Sequence, residues 1–425
     1  MSFAPPIAVI SHAHPSISKG GAEIAAHTLY QGLRALGVPA IFIAAVPEAE
    51  RHRLDLGADE YAVFHAQERY EHLYQLAEPA VARQLCAVLD ATGAEQLVFH
   101  HFLWLGLNSL RDALALPGRR GLLVLHEFLA QCHHHGQMIT ATTQLPCSSA
   151  TPSRCGNCFP TLGRPRFELR RRLVGEVFDQ LDGFVSPSRF LAERYVAWGL
   201  PAERVHVVEN GLLHPGQPAP PRPAAGRFVF GFFGQLNPFK GVDVLLGAAE
   251  RLASAAEIEI RIHGNIIGLP EALVARLDRL AESLPQLRFM GAYENDQVGA
   301  LMAECDYVLV PSIWWENSPV VIQEAYAAGR PVICTGIGGM AEKVVPGVTG
   351  LHFRRNDAGD LAQVMQSAAD PALLAKLQAG LPRPADAPTM ARHYLAAMGL
   401  PTAAAEAEAP QAARKPRRAG TKQPA

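Results

Sequence analysis

The chain has 425 residues, of which 49% are hydrophobic and 18% charged, and its formal net charge is −2 at pH 7. This length suffices for two α/β domains with separate cores, and the near-zero net charge argues against a protein that binds nucleic acid or another polyanion. No apolar run reaches the roughly 18 residues of a membrane-spanning helix, and the N-terminus lacks the basic start and long apolar region of a signal peptide. We therefore expect a cytoplasmic protein.

The first half of the chain alternates short apolar runs with amphipathic segments. Ile7–Ser11 is predicted to be a strand, residues 12–21 a loop, residues 22–36 a helix that Gly37 ends, and residues 40–45 the next strand. Together these elements predict a βαβ unit. Further strands are predicted at residues 96–99, 121–125, 183–185 and 205–208.

A cysteine-rich segment follows the strand at residues 121–125. Of the seven cysteines, four lie within 27 residues, namely Cys132, Cys147, Cys155 and Cys158, and the last two form Cys-x-x-Cys. Because disulfides are disfavoured in the cytoplasm, four thiols in a long polar loop predict a structural tetrahedral Zn²⁺ site. Reduced free thiols, an iron–sulfur cluster and a redox pair are the alternatives, and three histidines at residues 133–135 could compete as ligands.

A basic segment comes next, in which Arg164, Arg166, Arg170, Arg171 and Arg172 alternate with apolar residues at helical spacing. One interpretation is a solvated helix face over a core. The other is a contact with anionic lipid headgroups or with a polyprenyl diphosphate-linked acceptor. The spacing is compatible with both.

The alternation restarts after a Pro- and Gly-rich break. Residues 228–234 predict a strand, followed by a turn that carries Lys240 and Gly241 and by a helix over residues 242–254. Such a turn lets the backbone and a lysine approach phosphate oxygens. The predicted fold is α/β, with two doubly wound Rossmann-like domains that face a cleft. The strands that complete the second parallel sheet are predicted at residues 258–262, 287–290, 307–310, 331–334 and 351–353.

Two carboxylates lie close together around the start of one predicted helix. Glu316 lies in the loop after the strand at residues 307–310, and Glu324 lies inside a helix that we expect Ser318 to cap and Pro319 to open. The start of such a helix offers free N–H groups to a diphosphate, while carboxylates accept hydrogen bonds from sugar or ribose hydroxyls. The combination indicates a nucleotide-sugar site, against the alternative of a surface helix with two solvated glutamates.

Five motifs occur in a fixed order in the second half: Gly234-x5-Lys240-Gly241, Pro311-Ser312, Glu316-x7-Glu324-Ala325, Gly329-x-Pro331-Val332 and Gly338-Gly339-x-x-Glu342. This ordered set resembles the donor-binding half of the retaining glycosyltransferases of family 4 over about residues 228–370. The first half is similar to the same family in Gly20-Gly21-Ala22-Glu23, Pro187-Ser188-Arg189-Phe190 and Val208-Glu209-Asn210-Gly211. One position departs from the family, because Gln235 stands where the family usually has an arginine that contacts phosphate.

The resemblance implies the GT-B fold and its division into parts. The parts are, in order, an N-terminal acceptor-side domain (1–214) with a cysteine-bearing insert (130–160), a linker (215–226), a nucleotide-sugar-binding domain (227–385), a helix that crosses back to the first domain (386–400) and a disordered tail (401–425).

The resemblance also implies which residues bind the donor. Glu324 would hold the ribose hydroxyls and Lys240 the diphosphate, whereas Glu316, with Asn317 and Ser318, would face the donor sugar and its phosphate. The residues that would approach the diphosphate through their backbone or side chain are Gly20, Gly21, Gly234 and Gln235.

His126 directly follows a predicted strand, and in the family a histidine at this position contacts the donor sugar. It is therefore predicted to be catalytic together with Glu316 and Lys240, although a hydrogen-bonded histidine at a strand end is the alternative. Other histidines at strand ends rank lower because no motif singles them out; they are His12, His14, His100 and His101.

The activity that the resemblance implies is transfer of a hexose-type sugar from a nucleoside diphosphate donor to a hydroxyl of a glycan or lipid-linked glycan in polysaccharide biosynthesis, with retention at the anomeric carbon. No Asp-x-Asp motif lies at the expected donor site, so no catalytic metal is required. Peripheral contact with the inner face of the membrane is a further expectation. The alternatives are another GT-B enzyme, such as a nucleotide-sugar epimerase or a sugar-phosphate synthase, and a non-catalytic nucleotide-sugar-binding protein.

Overall fold

The computed structural model describes residues 5–213, 215–216, 219 and 226–402. The predicted tail at residues 401–425, with its basic run, lies outside the described residues except for its first two positions, and so does most of the predicted linker at residues 215–226. Among the described helices, none combines the length and hydrophobicity needed to cross a membrane.

The first half of the chain forms a seven-stranded sheet of the order β3-β2-β1-β4-β5-β6-β7, in which all neighbouring strands are parallel. Its strands are β1 (Ile7–Ser11), β2 (Ala40–Pro47), β3 (Glu60–His65), β4 (Gln96–Phe99), β5 (Arg120–Val124), β6 (Gly183–Ser186) and β7 (Val205–Val207). Its helices are α1 (Gly21–Ala35), α2 (Pro79–Thr92), α3 (Leu107–Leu114), α4 (Pro152–Cys158), α5 (Gly163–Phe178) and α6 (Arg189–Trp198).

The second half forms a six-stranded parallel sheet of the order β10-β9-β8-β11-β12-β13. Its strands are β8 (Phe228–Phe233), β9 (Ile258–His263), β10 (Leu287–Gly291), β11 (Tyr307–Val310), β12 (Val332–Thr335) and β13 (Gly350–Phe353). The helices of this half are α7 (Val242–Arg251), α8 (Glu271–Ser283), α9 (Val298–Ala303), α10 (Val320–Ala327), α11 (Gly338–Lys343), α12 (Ala358–Ala368), α13 (Pro371–Ala379) and α14 (Ala387–Ala397).

Each sheet is covered by helices on both faces, so each domain has two apolar layers. The central strands are buried throughout, which explains their continuous runs of Val, Ile, Leu and Phe. The predicted α/β architecture of two doubly wound domains is confirmed.

The last described helix, α14, leaves the second domain and packs on the first. Its Met390 and Tyr394 share an apolar cluster with Leu29 and Tyr30 of α1. The two helices approach so closely that a Cβ on Gly32 would lie 2.2 Å from the carbonyl oxygen of Ala387. The crossing of the two helices therefore requires glycine at this position. The return of the last helix to the first domain was predicted.

Two local expectations were wrong. Strand β3 at the edge of the first sheet was not predicted, because its sequence mixes polar and apolar residues and its burial is only partial. The cysteine-bearing insert is not a loop without secondary structure, since it contains α4, which begins after Thr151 and carries Cys155 and Cys158.

Candidate functional site

The carboxyl ends of both sheets face one cleft of about 1080 Å³. In each sheet the strand order reverses beside the first strand, between β1 and β4 in the first sheet and between β8 and β11 in the second. Ligands of doubly wound folds bind outside such switch points. All ten residues predicted to act on the donor line this cleft, namely Gly20, Gly21, His126, Gly234, Gln235, Lys240, Glu316, Asn317, Ser318 and Glu324.

An ion pair stands at the centre of the donor side. The Nζ of Lys240 lies 2.7 Å from Oε1 of Glu316, and the same oxygen accepts hydrogen bonds from Ser312 Oγ at 2.8 Å and Trp314 Nε1 at 2.9 Å. Burial alone would raise the pKa of Glu316, whose exposure is 9%, but the Lys240 ammonium and these donors hold it below its usual value. Glu316 is therefore ionised, and it fixes the position of the lysine.

The side chain of Asn237 holds the turn that carries Lys240. Asn237 Oδ1 accepts hydrogen bonds from the N–H groups of Phe239 and Lys240, which caps a short 3₁₀ helix at Pro238–Lys240. Gly241 has a positive φ of 72°, and a Cβ there would lie 1.9 Å from the carbonyl oxygen of Pro311. Only glycine permits this approach, which brings the lysine turn against the loop after β11.

Glu324 lies one turn inside α10 and differs from Glu316 in having no described side chain paired with its carboxylate. Burial raises its pKa to about 7. The predicted cap of this helix is wrong: α10 begins at Val320 after Pro319, no side chain caps it, and Ser318 Oγ is buried without a hydrogen-bond partner in the described structure. Ser318 therefore presents a free hydroxyl to the cleft.

The glycine pair at the start of α11 supports the Glu316 loop. Gly339 N donates a hydrogen bond to the carbonyl oxygen of Glu316 at 2.7 Å, and a Cβ on Gly339 would lie 2.0 Å from the carbonyl oxygen of Asn317. Glycine at position 339 thus permits a close approach of the protein backbone, which sets the positions of Glu316 and Asn317.

Four histidines gather on the first domain, and the sequence did not predict that they meet. His126 Nε2 lies 3.0 Å from His100 Nδ1, and the rings of His12 and His101 stand 4.6 Å apart. Burial, reinforced by the neighbouring imidazoles, lowers the pKa of His126 well below its usual value and that of His12 to about 3. All of them directly follow β1, β4 or β5, so the adjacency of these strands was the signal that could have revealed the cluster.

The four cysteines of the insert lie in different surroundings. Cys132 is buried, and Cys147 and Cys155 pack against the first apolar core. Cys158 Sγ accepts a hydrogen bond from Ala141 N at 3.2 Å. Within the described residues, no group of three or more His, Cys, Asp or Glu side chains is arranged to hold a metal, and zinc binding stays a prediction.

The arginine-rich segment forms α5, and its central residue points inward. Arg170 is 2% exposed and donates hydrogen bonds to the carbonyl oxygens of Ala130 and Leu129, so neither the solvated helix face nor the lipid contact applies to this residue. On the exposed face, Arg172 pairs with Glu176 at 2.7 Å. Helix α5 therefore holds the start of the insert in place through the hydrogen bonds of Arg170.

The two domains touch across the cleft. Both oxygens of Glu342 accept hydrogen bonds from the first N–H groups of α6, those of Arg189 at 2.8 Å and Phe190 at 2.7 Å. Asn317 Nδ2 donates to the carbonyl oxygen of His126 at 3.1 Å. These contacts bring together, from both domains, the residues that are predicted to bind the nucleotide and the donor sugar.

Comparison with known families and proteins agrees with this architecture. Residues 20–211 match the family described as "Glycosyl transferase 4-like domain", and residues 227–370 match "Glycosyl transferases group 1". Together the two matches account for most of the described chain.

Curated relatives of the chain include D-inositol 3-phosphate glycosyltransferases. That of Mycobacterium sp. (strain JLS) is 31% identical over 211 residues, which is 46% of this chain and 47% of the relative. That of Rhodococcus jostii (strain RHA1) is 33% identical over 241 residues, or 52% of each. The chain thus matches about half the length of these relatives.

Solved structures resemble the chain over almost its whole length. HepE of Anabaena, crystallised in complex with UDP, has a TM-score of 0.66 at 18% identity and covers 93% of this chain and 99% of its own. Sucrose-phosphate synthase of Thermosynechococcus elongatus also has a TM-score of 0.66 at 18% identity, with coverages of 88% and 92%. At this identity the likeness establishes the fold.

Proposed function

Since the chain belongs to the group 1 glycosyltransferases of GT-B fold, we propose that it transfers a sugar from a nucleoside diphosphate sugar to a hydroxyl group of an acceptor. The observation that carries the proposal is the Lys240–Glu316 ion pair at the switch point of the second sheet, facing the N-terminus of α1 across the cleft.

The residues have separate roles in this reaction. The bond between the sugar C1 and the phosphate oxygen breaks, a bond from C1 to the acceptor oxygen forms, and the acceptor proton passes to the departing diphosphate. Lys240 supplies positive charge where the diphosphate gains negative charge, and the N–H groups at Gly20 and Gly21 add partial positive charge from the opposite wall. Glu324 would hold the ribose hydroxyls.

Finer features of the reaction are also proposals. We infer retention at the anomeric carbon from the ordered motifs of the second half, and no divalent metal in catalysis, since the lysine and helix termini supply the charge on the diphosphate. The acceptor is proposed to be a glycan or a lipid-linked glycan used in polysaccharide biosynthesis, in the second case at the inner face of the membrane. His126, close to Asn317, would contact the donor sugar.

The experiment is a binding and turnover series with one substitution. Wild-type protein is screened for binding of UDP, GDP and ADP and then assayed in EDTA with the matching nucleotide sugars. Lys240→Ala should lower kcat by about 100- to 1000-fold, as loss of a group that stabilises transition-state charge does. Its effect on nucleotide affinity should be smaller, because charge on the diphosphate grows as the bond breaks.

The control is Lys376→Ala, which removes an exposed lysine from α13, far from the cleft. This variant should retain full activity. A wild-type protein that binds none of the nucleotides, or a Lys240→Ala variant with unchanged kcat, would contradict the proposal.

A further inference from the structure

One part of the cleft wall is built by the first domain alone. It is formed by the segment after β4, by the first turn of the insert and by the loop before α2. Its aromatic and polar side chains include those of His72, Trp104, Glu127, Gln137 and Phe159, and all five residues line the cleft.

Trp104 is held rigidly in this wall. Its φ is +64°, a conformation that bulky residues rarely adopt, so the surrounding structure must enforce it. The ring of His65 stacks on the indole at 5.2 Å with an angle of 6°, and Tyr70 and His72 meet it edge-on at 5.1 and 5.5 Å. A partly exposed indole fixed in this way offers a flat apolar surface at little entropic cost.

Two polar side chains of the same wall have an oxygen atom without a hydrogen-bond partner in the described structure. Gln137 Oε1 is buried and accepts no hydrogen bond from any described residue, and only Oε1 of Glu127 is held by His101, at 3.0 Å. Buried acceptors are normally satisfied, so acceptors left free in a cleft are suited to ligand donors. Hydroxyl groups of a sugar are such donors.

The charge of the wall is equally informative. Among the described residues that line the cleft, the lysines are Lys19 and Lys240, there is no arginine, and both lysines are paired, with Glu294 at 3.2 Å and Glu316 at 2.7 Å. Phosphate groups are normally bound by arginine or lysine. The wall that carries Trp104, Glu127 and Gln137 therefore offers no lysine or arginine to a phosphorylated acceptor.

One histidine of the cleft, His101, adds no positive charge at neutral pH. Burial lowers the pKa of His101 to about 4, so its ring is neutral at pH 7. Burial also raises the pKa of Glu127 well above its usual value, which reduces the negative charge of the same wall. The surface formed by these wall residues is accordingly polar and aromatic and carries no lysine or arginine.

We propose that this wall is the acceptor subsite and that it takes an uncharged saccharide, whose ring lies on Trp104 and whose hydroxyl groups donate to Gln137 and Glu127. The inference rests on the proposed function. It separates this chain from its curated relatives, whose name specifies a phosphorylated polyol.

The first test uses wild-type protein and two matched acceptor sets. With the donor identified by nucleotide binding and donor hydrolysis, transfer is measured to neutral methyl glycosides and disaccharides, and to the same sugars carrying a 6-phosphate, with D-inositol 3-phosphate included. We expect kcat/KM to be at least about tenfold higher for the best neutral acceptor. A preference for phosphorylated acceptors, or transfer to neither set by protein that binds one of the screened nucleotides, overturns the inference. A protein that binds no nucleotide instead fails the proposed function, so the two failures are distinguishable.

The second test alters the subsite. Gln137→Arg adds a cation to the wall and should raise kcat/KM for the phosphorylated acceptors while lowering it for the neutral ones. Trp104→Ala should raise the KM for the neutral acceptor about tenfold or more without changing UDP affinity. Trp198→Ala removes a comparably exposed tryptophan outside the cleft and should change neither value. Unchanged acceptor kinetics in both folded subsite variants would overturn the assignment.

Discussion

Two glutamates eight positions apart experience opposite environments in the proposed donor site. Glu316 is buried beside an ammonium group, which keeps its pKa low, whereas Glu324 is buried without a cation, which raises its pKa to about 7. An unpaired carboxylate in such a place costs folding free energy at neutral pH. Functional sites commonly carry such costs, because the group is placed for a ligand.

Glu324→Gln should therefore stabilise the protein at high pH. A carboxyl whose pKa is raised on folding contributes stability below its unfolded pKa of about 4.5, and this contribution is lost as pH rises to about 7. The variant should gain up to about 3 kcal/mol relative to wild type at pH 8 and almost nothing near pH 4.5. Urea unfolding at both pH values measures the difference, and nucleotide affinity should fall in the same variant.

Glu316→Gln is the matched control, because its pKa shift has the opposite sign. A carboxyl with a lowered pKa contributes stability above its unfolded pKa, so this variant should be less stable than wild type at pH 8 and should approach it in acid. If the free energy of unfolding depended on pH in the same way in both variants, the ion pair would not be the cause of a difference in pKa between the two glutamates.

Whole elements were predictable where their residues are buried on both sides. Strands such as β1 and β11 are buried throughout and almost wholly apolar, and the sequence predicted their bounds without error. The edge strand β3 was missed because only part of it is buried, so its pattern is weak. Contacts between elements are harder to predict still. His100 meets His126 because β4 and β5 are neighbours in the sheet, and no local sequence pattern contains the strand order.

The gathering of residues in the cleft was predictable only where a motif linked them. The donor-side residues were located by ordered motifs, and the structure gathers them in one cleft. The burial of Arg170 was not predicted, because helical spacing does not show which side of α5 faces the backbone carbonyl group of Ala130. Ser318 was misplaced because a serine before proline resembles a cap, whereas the chain enters α10 through Pro319 itself.

The insert gives a prediction about metal content. If it binds zinc, protein purified without chelator should contain about one zinc per chain, held by Cys132, Cys147, Cys155 and Cys158. The thiols must draw together for this, because closed four-thiolate sites are tetrahedral. Cys155→Ser should then lower the free energy of unfolding by several kcal/mol, since metal binding and folding are coupled. Elemental analysis and chemical denaturation measure these quantities.

Cys86→Ser is the control, because Cys86 lies in α2, away from the insert. It should leave the zinc content unchanged. Protein with little zinc and four thiols that react freely in the native state would show that the insert needs no metal. The insert would then be held by contacts such as that of Cys147 O with Trp315 Nε1, at 3.2 Å.

The molecule as a whole is joined across its cleft by a helix cap that comes from the other domain. Ser188 caps its own helix α6 through Leu191 N, and Glu342 satisfies the two N–H groups before it. Separation of the domains would leave these N–H groups to water and remove two charge-assisted hydrogen bonds. The closed arrangement is thus stabilised by the same residue that ends the last donor-domain motif.

Glu342→Ala should shift the ligand-free protein towards an open arrangement. The loss should be about 1–3 kcal/mol, the usual size for charged hydrogen bonds. Small-angle X-ray scattering should show a larger radius of gyration, and addition of UDP should reduce it. Glu304→Ala, which removes an exposed partner of Arg261 within the second domain, is the control and should scatter like wild type. An unchanged radius in Glu342→Ala would mean that the remaining contacts suffice.

The crossing of α14 also has a consequence during protein synthesis. Strand β7 leaves the ribosome about 190 residues before the end of α14 does, and at 5–20 residues per second this delay is roughly 10–40 s. Throughout that interval the face of α1 that Met390 and Tyr394 later cover is exposed. The nascent first domain therefore presents an apolar surface to chaperones while the second domain is still being translated. Its core is synthesised first but is completed only after the second domain has been made.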